Sequence, residues 1–309
     1  MTGSKRGSIA VLLLAHGSPD SPEQVPEFLL KVTGGRPLPP EVVEEVQRRY
    51  ATIGSSPLTK ITIQQAELLA EKLRLPVYVG MRNWHPFVSD TIDKMAATGA
   101  QRTVVVCMAP QNSRTSVGLY RASLRATEDT RLSFDFIDSW HDQPRLIQAF
   151  AEKLNVGLRA AREEAGRIDL PVVFTAHSVP QRTIAEGDPY EAQARETASL
   201  VAKIAGLKEN DWRFAFQSQG MSGGAWLGPT VEATITDLKS EGRNSVFIQP
   251  IGFVCDHVEI LYDIDIIFKQ FAERLGMRLW RAESLNASPL LISALAQIVE
   301  SRPSASKSR

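Results

Sequence analysis

Leu14-Ala15-His16-Gly17-Ser18-Pro19 and Thr175-Ala176-His177-Ser178-Val179-Pro180 read as two copies of one device. Each closes an apolar run, Ser8–Ala15 or Pro171–Ala176, with Ala-His, and each reaches a proline three residues after the histidine. Uniformly apolar runs of this length suit strands buried on both faces of a parallel sheet. A duplicated α/β domain produces such an echo and sets two similar loops on a cleft between the halves.

Outward from these loops, strand-like runs alternate with helical patterns. The first half has strand candidates at Ser8–Ala15, Pro76–Met81, Thr103–Ala109 and Ser133–Ser139, with helical stretches near Pro40–Ala51, Ile61–Leu73, Val88–Thr98 and Ser116–Thr127. The second half has strands at Pro171–Ala176, Trp212–Gln217, Ser245–Gln249 and Met277–Arg281. Its helices fall near Pro144–Ala165, Pro189–Ala205, Pro229–Glu241 and Val258–Leu275. Four strands per half, alternating with helices, indicate two α/β domains, each with a parallel sheet flanked by helices. The domains are expected at 1–142 and 143–286, with a final helix at 287–301 packing back on the first.

The stretch Pro250–Asp265 places Asp256, His257, Glu259, Asp263 and Asp265 just after an apolar strand, where open α/β sheets bind ligands. A helix beginning near Asp256 would bring Asp256, Glu259 and Asp263 onto one face. Carboxylates crowded on a stripe repel one another, so a cation, water or a proton relay is expected beside them. A histidine can bind a metal or take a proton near neutral pH, and His177 is expected to face this stripe.

Composition narrows the classes. The chain has 309 residues, 43% of them apolar, with Lys plus Arg and Asp plus Glu both at 35. A balanced charge argues against a nucleic-acid binder. Cys107 and Cys255 sit in apolar surroundings and form no C-x-x-C pair, so neither an iron–sulfur cluster nor a disulfide framework is expected. The apolar run Ile9–Ala15 is too short to span a membrane, and a cytoplasmic protein is expected. The glycine-rich loop Gly220–Gly224 lacks the order and lysine of a phosphate loop, and Ala225–Pro229 beside it suits a flat apolar ligand.

These motifs together resemble the ferrochelatases, which insert ferrous iron into a porphyrin in haem synthesis. The matching stretches are Arg49–Pro57, Tyr78–Met81, Thr175–Pro180, Gly187–Tyr190, Gln217 with Ser218, Trp226–Pro229 and Gly252–Asp263, in the family's order. The resemblance implies two flavodoxin-like, chelatase-type domains around an active-site cleft. It implies that His177 and Glu259 form the catalytic, metal-handling pair and that Asp263 continues a proton or metal relay. It also implies that His16, Arg49, Tyr50, Ser56, Tyr120 and Trp226 line the porphyrin or hold its propionates. Ile267 stands where relatives often carry a further carboxylate, which shortens the acidic track. His16 matches neither the tyrosine of coproporphyrin enzymes nor the methionine of many protoporphyrin enzymes, so the two porphyrins stay open.

Iron is a substrate in this reading, and no bound cofactor is expected. The expected partners are a porphyrin and Fe2+, with no nucleic acid and no transmembrane segment. A monomer is the working expectation, and peripheral membrane contact stays open. The His16 loop is also reminiscent of sirohydrochlorin cobaltochelatases, so a chelatase for another tetrapyrrole and metal is one alternative; a non-catalytic haem-binding protein is the other. Phe28, Leu29 and Leu30 on one side, with Trp226 and Leu227 on the other, are candidate walls for the ring.

Overall fold

The computed structural model describes residues 8–125, 132–166, 170–219 and 224–302. Residues 220–223 of the glycine-rich loop and both chain ends therefore lie outside the described residues. The strands are β1 (Ser8–Ala15), β2 (Val77–Met81), β3 (Ala100–Cys107), β4 (Ser133–Ile137), β5 (Val172–His177), β6 (Trp212–Gln217), β7 (Ser245–Pro250) and β8 (Arg278–Arg281). They form two four-stranded parallel sheets, ordered β2-β1-β3-β4 and β6-β5-β7-β8. The two orders are the same when each half is numbered from its own first strand, as a duplication requires.

That order places the histidine loops. β1 lies between β2 and β3, and β5 between β6 and β7, so successive connections leave to opposite sides of the first strand. The crevice outside the C-terminal end of such a strand is where this architecture binds ligands. His16 follows β1, and His177 is the last residue of β5.

The helices are α1 (Val25–Val32), α2 (Pro40–Ile53), α3 (Leu58–Leu73), α4 (Val88–Ala97), α5 (Val117–Arg125), α6 (Pro144–Ala165), α7 (Gln181–Ala185), α8 (Tyr190–Ala205), α9 (Val231–Ser240), α10 (Lys269–Arg274) and α11 (Pro289–Glu300). One apolar core runs through both halves. It joins Val11, Leu13 and Val104 of the first sheet to Val172, Phe174 and Phe247 of the second through Phe150 and Leu154 of α6 and Leu291 and Leu295 of α11. Helix α11 packs against both α3 and α6. Burying a side chain such as Phe174 or Phe150 contributes ~2 kcal/mol. α6 comes so close to the second sheet that a Cβ on Gly157 would stand 2.6 Å from the Phe247 ring, so an alanine there forces the two apart. No described helix is long and apolar enough to cross a membrane.

One expected helix forms with a different winding. The stretch expected as a helix from Val258 to Leu275 is a ten-residue π-helix over Glu259–Phe268, followed by α10. The Lys269 N–H donates to Ile264 O, five residues back. Its buried side chains are Ile260, Ile264 and Phe268. A repeat of four outruns the 3.6-residue α turn and suits a wider one. Asp256 lies ahead of this helix rather than in it.

Candidate active site

His177 pairs with Gln217 across β5 and β6. Its Nδ1 faces Ser178 O, which assigns the ring proton to Nδ1 and leaves Nε2 with a lone pair. Tyr190 OH donates to His177 O at 2.9 Å, and the Phe253 ring stands edge-on at 6.4 Å. Nε2 looks across 3.5 Å at Glu259 Oε2. That oxygen is buried, and among the described residues no hydrogen bond reaches it. Two acceptors thus face each other in a partly buried cleft, an arrangement that a shared proton or a cation stabilises.

Asp263 lies one wide turn beyond Glu259. Ser218 Oγ donates to its Oδ2 at 2.6 Å, and Arg49 of α2 reaches its Oδ1 at 3.7 Å from the other half. Arg49 also lies over the Tyr262 ring and is held by Glu45. Burial pushes the Asp263 carboxyl up from its ordinary range, aided by the Glu259 charge and opposed by Ser218 and Arg49.

Asp256, expected on the stripe, does not join it, and Asp265 is also engaged elsewhere. Asp256 accepts from Ser284 Oγ at 2.7 Å and Asn286 Nδ2 at 2.8 Å. Asp265 takes a two-pronged contact from Arg281, at 2.6 and 2.8 Å. The expectation that Asp256, Glu259 and Asp263 share a helix face is corrected: Asp256 is turned to a structural clamp because the helix starts three residues later.

From the first half, His16 brings an imidazole whose nitrogens are both engaged. Asn83 Nδ2 donates to Nε2 at 3.0 Å, and Nδ1 faces Gly17 O at 3.0 Å. Burial, reinforced by the Arg82 charge, lowers its pKa to about 4, so the ring is neutral at physiological pH. Phe28 of α1 stands edge-on to His16, Tyr50 and Trp84, which makes one aromatic wall. Tyr50 OH and Ser18 Oγ are 3.0 Å apart, and burial lifts the Tyr50 pKa to about 12. Leu30, on the same helix, is 41% exposed. The stretch Phe28–Leu30 is helical.

The remaining predicted residues are spread around this centre. Tyr120 of α5 is buried with its ring under the Arg82 guanidinium. Ser56 is buried, and its Oγ accepts from Leu58 N at the start of α3. Trp226 is half-buried on a strand-like segment bridged to Pro180, beside Leu227, whose N–H donates to Val179 O.

Several residues of the cleft were not assigned from the sequence. Gln217 Nε2 donates to Glu259 O at 3.3 Å, and its Oε1 is buried with no hydrogen-bond partner among the described residues. His257 is buried beside Phe253 with Nδ1 on Cys255 O, and burial lowers its pKa. Arg82 is half-buried, and among the described residues no carboxylate and no side-chain hydrogen bond engages its guanidinium. Gln217, Tyr190 and His257 stood inside matched stretches without roles. For Arg82 the available signal was a basic residue just past the buried end of β2.

With this geometry in view, the comparisons are informative. The ferrochelatase family profile matches residues 8–303. A ferrochelatase from Acidobacterium capsulatum is 52% identical over 307 residues, covering 94% of each chain. A coproporphyrin III ferrochelatase from a Geobacillus species is 36% identical, covering 95% of this chain and 97% of its own. Among solved structures, the sirohydrochlorin chelatase SirB of Bacillus subtilis subspecies spizizenii, in complex with cobalt, superposes with a TM-score of 0.57 at 10% identity, covering 95% of this chain and 94% of its own. That last likeness concerns the fold. A whole-length profile match, together with a relative sharing half its residues over nearly the whole chain, makes this protein a member of the ferrochelatase family.

Proposed function

We propose that the protein inserts Fe2+ into a porphyrin in haem biosynthesis, with iron and porphyrin as substrates and no resident cofactor. The observation that carries this reading is the buried Glu259 Oε2, unpartnered and 3.5 Å from the lone-pair nitrogen of His177. Metallation removes two pyrrole N–H protons while Fe2+ exchanges water ligands for four ring nitrogens. His177 Nε2 accepts one proton. The imidazolium then pairs with the Glu259 carboxylate, a stronger contact than the acceptor–acceptor one it replaces, until Glu259 takes the second proton and becomes a neutral acid. Asp263, whose carboxyl is displaced upward by burial, receives that proton and passes it outward to water, with Ser218 and Arg49 holding its carboxylate in place.

The rest of the cleft positions the ring. Phe28, Tyr50 and Trp84 offer an aromatic wall, and Trp226 with Leu227 a second one from the other half. Arg82 is a cation without a carboxylate, suited to a propionate. A two-ligand site of His177 and Glu259 holds iron only loosely, which suits a metal that must leave with the product. The reaction belongs in the cytoplasm.

The test is anaerobic Fe2+ insertion into coproporphyrin III and, separately, protoporphyrin IX, by wild type and Glu259→Gln. Wild-type turnover with a loss of ~100-fold or more in the variant is expected. Equal rates in both proteins would overturn the assignment, and the faster porphyrin names the substrate.

A further inference from the structure

A π-helix longer than one turn is rare, because its wide turns give up close contact across the helix axis. The ten residues Glu259–Phe268 therefore need outside support to stay wound. Ile260, Ile264 and Phe268 anchor one side to the second sheet. On another flank, one side chain grips two carboxylates at once. Arg281 of β8 donates Nε and Nη2 to the two oxygens of Asp265, at 2.6 and 2.8 Å, and its Nη2 reaches Asp256 Oδ1 at 3.4 Å.

These two carboxylates bracket Glu259 and Asp263. Asp256 precedes Glu259 by three residues, and Asp265 follows Asp263 by two. The grip extends further through Asn286, which donates to Asp256 Oδ2 and accepts the Asp256 N–H, each at 2.8 Å. Asn286 O in turn accepts from Gln65 Nε2 of α3 at 2.7 Å, so the clamp is fastened to the other half of the molecule. The Arg281 side chain is only 15% exposed, a setting in which a two-pronged guanidinium–carboxylate contact is strong and directional.

We propose that Arg281 is a positioning residue for metal insertion: by gripping Asp265 and Asp256 on either side of Glu259 and Asp263, it keeps the wide helix wound and the Glu259 carboxylate opposite His177. The proposal rests on the reading of His177 and Glu259 as the metallating pair. Arg281 touches neither substrate. Its removal should therefore slow chemistry while leaving porphyrin affinity in place, since the aromatic walls belong to other elements.

The experiment compares wild type, Arg281→Gln, Asp265→Asn and the double variant. Four quantities are measured: kcat for Fe2+ insertion, KM for Fe2+, the Kd for metal-free coproporphyrin III by fluorescence quenching, and amide exchange over residues 259–268. Arg281→Gln is expected to lose about tenfold in kcat, with porphyrin Kd within about twofold and faster exchange confined to the wide helix. Asp265→Asn should lose less, and the double variant should be no slower than Arg281→Gln, because both substitutions break one contact.

Unchanged kcat in both single variants overturns the proposal, as does a loss of kcat that merely follows loss of porphyrin binding and of folded protein. Should Arg281→Gln not fold, Asp265→Asn decides the question alone: it keeps the side chain's shape at a partly exposed position. If Glu259→Gln is inactive while Arg281→Gln keeps the full rate, only the positioning role fails. If Glu259→Gln is itself fully active, the pair assignment fails first.

Discussion

The two Ala-His loops are built alike and equipped differently. His16 and His177 each close the first strand of a half, at the same place in sheets of the same order. Each has Nδ1 against a neighbouring carbonyl, Gly17 O or Ser178 O. What differs is the group opposite Nε2. For His16 it is the Asn83 amide at 3.0 Å, with the Arg82 cation nearby; for His177 it is the Glu259 carboxylate at 3.5 Å. A hydrogen-bond donor and a positive charge close the first imidazole to protons, whereas the second faces an acceptor across an open gap. The element that makes this difference in the second half is the wide helix between β7 and β8; the matching connection in the first half, between β3 and β4, carries α5 with ordinary α winding.

The comparison breaks most visibly under acid. The His16 pKa is lowered from 6.5 to about 4, so the folded state binds fewer protons than the unfolded chain between those values. The stability that neutral His16 contributes is present above the unfolded value and is lost as pH falls toward about 4. The full shift corresponds to ~3 kcal/mol, and the partial exposure of the ring brings the expected effect to ~2 kcal/mol. Urea unfolding of wild type and His16→Met should show the variant losing less stability on acidification by that amount. An identical pH dependence would mean that the His16 ring is solvated.

A smaller effect sharpens the other side. Asp263 has its pKa raised by burial, so the folded state favours the protonated acid, and the contribution of this group is lost as pH rises. Asp263→Asn is therefore expected to unfold at higher urea than wild type near neutrality. That advantage should shrink as the pH falls into the carboxylate range. Because asparagine cannot carry the proton outward, turnover should fall by about tenfold. A variant that is both less stable at neutral pH and fully active would contradict the relay.

Much of this was readable from the residues. The echo of Leu14–Pro19 in Thr175–Pro180, with apolar runs alternating with helical patterns, was enough for two parallel sheets and for both histidines at their cleft ends. That His177 faces the acidic stretch was legible because Pro250–Asp265 follows a buried strand, and the resemblance singled out Glu259 as its partner. The winding of that segment was not. A 3.6-residue period was assumed where Ile260, Ile264 and Phe268 repeat every four, and so Asp256 was drawn onto a stripe it never joins. Arg82 and Asn83 escaped because their roles depend on what stands beside them across sheet edges, which spacing along one strand cannot show. Asp265 and Arg281 lie sixteen positions apart, and nothing local ties them together.

The central claim is that the second histidine handles protons and the first does not. It is tested most directly by anaerobic Fe2+ insertion under saturating porphyrin, comparing kcat for His177→Ala and His16→Ala in folded protein at neutral pH. The account predicts a fall of ~100-fold or more for His177→Ala and less than about tenfold for His16→Ala. The reverse order, or equal losses in the two variants, would contradict it.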